Sequence, residues 1–143
     1  MRKPKILTIQ EVEYVAIRLA KQWLAFNEPI PDFQTRYPNK LESCLITPFQ
    51  QFSRKYLYLG LAGKAAILFY LLIKNHPFQN GNKRIAMTCL LVMLYKNNKW
   101  LHVDTQEFYN FAMWVAQSPP GAKDETVKAT EKFINKAMIN LDK

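Results

Sequence analysis

After Thr8 the apolar residues Val12, Val15, Ile17, Leu19, Trp23, Leu24 and Phe26 return at approximately helical spacing, and this pattern predicts a first helix from about residue 9 to 26. Thr8 followed three residues later by Glu11 is the signature of a capping box at its start. The pattern then fails from Asn27 to Pro38, where three prolines and no lasting periodicity predict a loop long enough to lie over a site. A short helix is expected from Lys40, bounded or kinked by Pro48. Alanines and large aliphatics predict a second strong helix from Leu61 to Asn75, and the apolar run from Ile85 to Tyr95 predicts a third, buried one. His76 to Arg84 lies between these two.

Asn97 and Asn98 end the third helix, and Trp100 to Val103 reads as a short extended piece without a pairing partner. Thr105 is the expected N-cap of a further helix carrying Phe108, Phe111, Ala112 and Val115, which Ser118-Pro119-Pro120-Gly121 breaks. Glu125 to Leu141 reads as a last amphipathic helix with Phe133, Ile134, Ala137, Met138 and Leu141 on its apolar side. The expectation is an all-α bundle forming a single domain over residues 1–143, with the His76 to Arg84 loop between two central helices.

Composition narrows this picture. A chain of 143 residues with 49% hydrophobic and 13% aromatic content can bury a real core, which excludes wholesale disorder. The longest apolar run falls short of the roughly 20 residues a membrane helix needs, and the basic start from Met1 to Lys5 leads into Glu11 and Glu13 rather than an apolar leader. A cytoplasmic location is the expectation. Cys44 and Cys89 lack the paired spacing of a metal or redox site and read as buried thiols. The net charge of +9 attracts anionic ligands and acidic partners without choosing among them. The aromatic residues fall mostly on core faces and do not alternate with lysines, which argues against a nucleic-acid stacking platform.

The candidate chemistry is concentrated in His76-Pro77-Phe78-Gln79-Asn80-Gly81-Asn82-Lys83-Arg84. Asn80, Gly81 and Asn82 favour turns and helix N-caps, and an apolar helix follows at once. The first N–H groups of a helix have no intrahelical partner and its positive dipole end faces outwards, so a phosphate can settle there. Gly81 would let it approach the backbone, Gly81 and Asn82 would offer N–H groups, the Asn82 amide would add a donor, and Lys83 and Arg84 would add charge. His76, placed just before this turn, is the candidate general base. Phe78 reads as a core residue pinning the turn. The plain alternatives are a capping histidine and a solvated basic helix face.

This stretch resembles the signature of the Fic/Doc superfamily, specifically its Doc (death-on-curing) toxin branch, His-x-Phe-x-Asp/Asn-Ala/Gly-Asn-Lys-Arg. All seven defined positions are matched, from His76 through Phe78, Asn80, Gly81, Asn82 and Lys83 to Arg84. Leu41-Glu42-Ser43-Cys44-Leu45 is similar to the family's Leu-Glu-Ser-Ala-Leu segment, Lys64-Ala65-Ala66 to the start of the helix feeding the motif, and Asn97-Asn98-Lys99 to an Asn-Gly helix end. The resemblance implies a compact Fic/Doc-like helical fold, with His76 as base and the Gly81 to Arg84 segment on nucleotide phosphates. It also implies a flap that aligns the target, falling in the Asn27 to Lys40 loop. Asn80 stands where relatives often carry Asp or Glu on a magnesium ion; an amide offers that cation only a neutral carbonyl oxygen.

Lys83 and Met87 bear on which group is transferred. The adenylyl-transferring Fic branch ends its motif Gly-Asn-Gly-Arg-x-x-Arg, and this chain has Lys83 for the second glycine and Met87 for the last arginine. Doc toxins carry the lysine and transfer the γ-phosphate of ATP to a threonine of translation elongation factor Tu. The resemblance thus implies ATP and Mg2+ as needs, a translation elongation factor as target and a separate antitoxin as restraint, since no inhibitory Ser/Thr-x-x-x-Glu-Gly/Asn segment is present in the sequence. AMP transfer of the Fic type stays open. So does a non-catalytic fold that binds a nucleotide, a protein or, less favoured, nucleic acid.

Overall fold

The computed structural model describes residues 3–23 and 29–141. The expected capping box is present: the Glu11 N–H donates to Thr8 Oγ1 at 3.2 Å and the Thr8 N–H to Glu11 Oε1 at 2.9 Å. The helix it starts runs as α1 (Ile9–Glu11), a π-helical turn (Val12–Ala16) and α2 (Ile17–Trp23). That wider turn shifts the helical phase, so Ala16 and Ala20 face the core in place of the expected Val15, which is exposed. The end of the predicted helix, Leu24 to Phe26, lies outside the described residues.

After a 3₁₀ turn (Phe33–Thr35), α3 (Pro38–Ile46) starts two residues earlier than expected. Pro38 occupies its first turn, where a missing N–H costs nothing. Pro48 falls in the following 3₁₀ turn (Thr47–Phe49). A hairpin of β1 (Gln51–Phe52) and β2 (Lys55–Tyr56) then appears that the sequence pattern had not indicated. Its turn residues Ser53 and Arg54 both have positive φ, 52° and 67°, without the glycine or asparagine that normally marks such a turn.

The centre of the molecule is α4 (Gly60–Lys74) packed on α5 (Asn82–Lys96). Twelve of the fifteen residues in each are buried, as befits helices that are apolar on nearly every face. Around them pack α2, α3, α6 (Thr105–Gln117) and α7 (Lys123–Ala137). Stacked rings join these layers, with Phe111 and Phe133 4.2 Å apart and Phe69 and Phe108 5.8 Å apart. Cys44 and Cys89 are buried as expected; burial pushes the Cys44 thiol up to about 11 and raises that of Cys89 further.

Three expectations in the C-terminal part need correcting. The N-cap of α6 is Asp104, whose carboxylate accepts from the N–H groups of Gln106 and Glu107, while Thr105 is the first helical residue. The extended piece does pair: β3 (Lys99–Leu101) forms an antiparallel ladder with β4 (Met138–Asn140). For the same reason α7 stops at Ala137 instead of reaching Leu141, because Met138 to Asn140 are taken up by the ladder. The fold remains mostly α, with strands of two or three residues among the described residues. No helix of the described residues is long and apolar enough to cross a membrane.

Candidate functional site

His76 follows Asn75, the C-cap of α4, and takes a backbone φ of 49°. That left-handed residue turns the chain sharply out of the helix and leaves the imidazole exposed. Pro77 and Phe78 then fold inwards. Phe78 is 1% exposed and lies 6.4 Å from the Phe33 ring, which confirms its expected place in the core. Gln79 and Asn80 return to the surface, and Gly81, at φ 70°, is the N-cap of α5 with no side chain to cap it.

Asn82 holds this loop in shape. Its Oδ1 accepts from the Phe78 N–H at 3.0 Å, and its Nδ2 donates to the Phe78 carbonyl at 2.9 Å. The buried amide is therefore committed to the loop, and not offered to a phosphate as expected from sequence; main-chain N–H groups are what the first turn of α5 can present. Asn82 Nδ2 also lies 3.4 Å from His76 Nδ1. With Nδ2 as donor, a neutral His76 keeps its lone pair on Nδ1 and its proton on Nε2. Accepting a proton at Nε2 requires the other tautomer, which water can supply at an exposed ring.

Arg84 is 5% exposed, and its Nη2 donates to the Ala20 carbonyl in α2 at 2.8 Å. Arg84 thus ties α5 to α2, while Lys83 sits half-buried beside it in the first turn of α5.

The described part of the long proline-bearing loop lies on the motif, as its length suggested. Tyr37 donates its N–H to the Pro77 carbonyl at 2.9 Å, and Phe33 meets Phe78. A Cβ on Gly81 would fall 2.9 Å from Ile30 Cδ1 and 3.0 Å from the Pro29 carbonyl oxygen. Glycine is required here twice over, by its φ and by this approach from the chain itself. Arg36 stacks 4.1 Å above the Phe33 ring and donates to the Phe33 carbonyl at 3.4 Å, which holds the 3₁₀ turn together. Lys40 lies 4.9 Å from the Tyr37 ring centre.

Asn80 is exposed, and among the described residues no group of three His, Cys, Asp or Glu side chains could hold a metal ion. A hard cation needs several oxygen ligands, usually with carboxylates among them, so these residues do not fit a resident magnesium centre. Sequence reasoning also missed Lys64, which is 1% exposed in α4. Its ammonium donates to the Tyr58 carbonyl at 2.7 Å and lies 3.9 Å from the Tyr56 ring centre, pinning the strand segment to α4. Burial lowers its pKa.

A model of the Fic/DOC family matches residues 7–94, from the start of the capped first helix to the end of the α5 core and across the whole motif. The chain belongs to the Fic/DOC family. Being a Fic/DOC protein, it falls within a superfamily of nucleotide-using transferases, and its α6, α7, β3 and β4 lie beyond the matched segment. No curated protein and no solved structure matches it.

Proposed function

We propose that this Fic/DOC protein is a Doc-type kinase that transfers the γ-phosphate of ATP to a hydroxyl of a translation elongation factor, and that a separate antitoxin restrains it. One observation carries the choice of transfer. Lys83 stands in the first turn of α5, and Met87, one turn later, is completely buried. A buried thioether cannot clamp a phosphate, and a lysine fills the space that adenylyl-transferring relatives leave open with glycine. In the proposed reaction the acceptor oxygen attacks the γ-phosphorus, His76 takes the hydroxyl proton, and the bond to the β–γ bridging oxygen breaks to leave ADP. The N–H groups at the start of α5 and the Lys83 ammonium bear the transferred charge. Magnesium enters as part of the substrate, held by the nucleotide phosphates and water.

The test is incubation with elongation factor Tu and ATP labelled at the γ- or the α-phosphate. Transfer from the γ-position supports the proposal, and transfer from the α-position alone replaces it with AMP transfer. The neutral, exposed Asn80 supports a second reading, a non-catalytic binding protein that keeps the fold. Nucleotide binding without transfer of either label to any acceptor would favour it.

A further inference from the structure

A cavity of about 620 Å³ lies away from the motif, where α4 begins and α5 ends. Each of these helices spans about 22 Å, so the cavity is at the far end of the pair from His76. Lys3, Lys5, Lys96 and Lys99 line it together with Asn97, Asn98 and Asn140, and no acidic residue does so among the described residues.

Three separate stretches of chain are bonded into this arrangement. The Lys5 N–H donates to Asn97 Oδ1 at 2.7 Å and Asn97 Nδ2 returns a bond to the Lys5 carbonyl at 3.3 Å, which fixes the segment carrying Lys3 and Lys5 against the end of α5. Lys96 donates to the Ile6 carbonyl at 2.6 Å and to Glu11 at 2.9 Å. Lys99 donates to Asn140, which the β3–β4 ladder brings beside it. Glu11 neutralises Lys96; Lys3, Lys5 and Lys99 have no carboxylate partner among the described residues. Cations held together around a cavity repel one another, and an anion within it removes that cost.

We infer that this cavity is a second anion site, which takes a small ligand bearing two or more phosphate groups. Its volume falls in the range of small-molecule clefts and cavities. Lysines act as point charges that can meet the several oxygens of a phosphate chain from different sides. The amides of Asn98 and Asn140 and the apolar wall of Leu61 complete the lining.

Isothermal titration of the full chain with inorganic tripolyphosphate tests this. Wild type, Lys83→Ala and the double variant Lys3→Glu, Lys5→Glu are compared at low and moderate salt, with thermal melting to confirm that each is folded. The expected result is two binding events in the wild type, of which the one at the far end weakens at least about tenfold in the double variant, a loss of about 1.4 kcal/mol, and stays within about threefold of wild type in Lys83→Ala, whose loss falls on the motif event. Binding abolished by Lys83→Ala but kept by the double variant would place the anion at the motif and overturn the inference; so would equal binding by all three, or none by the wild type. Should a short oligonucleotide bind more than about tenfold tighter than tripolyphosphate, and lose that advantage in the double variant, the small-ligand assignment falls in favour of nucleic acid.

Discussion

The α4–α5 pair carries two cationic regions built in opposite ways. At the motif end, neighbours in sequence are held by one buried side chain: Asn82 braces Phe78, and the chain between them has little freedom left. At the far end, residues 3–5, 96–99 and 140 come from distant stretches, and their bonds lie at or near the surface. The first arrangement sets geometry within fractions of an ångström, which bond-making requires. The second gathers charge with looser positions, which is enough for attraction. The former suits the catalytic role proposed for it, and the latter the binding role proposed for the cavity.

The sharpest way to break this contrast is His76→Ala. If the motif end carries the chemistry, transfer of labelled γ-phosphate should fall by about two orders of magnitude or more, with unchanged circular dichroism because the side chain is exposed. The Lys3→Glu, Lys5→Glu variant should keep most of its rate. Equal losses in the two would erase the distinction.

Asn82→Ala against Asn97→Ala is the next comparison. The first leaves the buried Phe78 N–H and carbonyl without partners and should lower the unfolding free energy by about 1–3 kcal/mol. Asn97 makes bonds that water can replace, and its loss should cost about 1 kcal/mol or less. Urea denaturation of the two variants measures the difference, and reversed magnitudes would mean that the far end is the rigid one.

The parts of the molecule that were legible carry local signals. Thr8 and Glu11 announce a cap, the Asn80-Gly81-Asn82 turn announces a helix start, and Phe78 reads as core from its apolar ring amid polar neighbours. What stayed hidden depends on partners remote in sequence. Nothing in Trp100 or Leu101 names Ile139 and Met138 as ladder partners, and nothing in Arg84 names Ala20. Lys64 was unreadable for a related reason: a lysine in an apolar helix is normally placed at the surface, and only the Tyr58 carbonyl and the Tyr56 ring explain its burial. The π-helical turn is hidden too, since it changes which of Val15 and Ala16 is buried without changing the overall spacing.

Asn80→Asp sharpens the motif end itself. A carboxylate beside the phosphates should lower the magnesium concentration for half-maximal activity several-fold and weaken nucleotide binding when magnesium is withheld. Titrating magnesium against both proteins reads this directly. Unchanged dependence would make Asn80 a turn residue alone.

The smallest effect belongs to Glu11, on the edge of the far end. Burial pushes its carboxyl up, but bonds from Lys96 and from the Thr8 backbone more than offset this and hold its pKa below the ordinary 4.5. A carboxylate depressed on folding adds stability that is fully present above 4.5 and is lost as pH falls through the folded value. Glu11→Gln should therefore cost under about 1 kcal/mol at neutral pH and show a shallower decline of melting temperature below pH 4.5 than the wild type. Parallel declines would remove Glu11 from the acid response.

The Asn82 brace also sets a timescale. The Phe78 amide hydrogen, held in a buried bond to a side chain of α5, can exchange with solvent only when that bond opens. Gln79 and Asn80 are exposed in the same loop. By the clock of amide exchange, Phe78 thus belongs with the core helices although it lies outside any regular element, and the brace makes part of the motif loop as slow as the core.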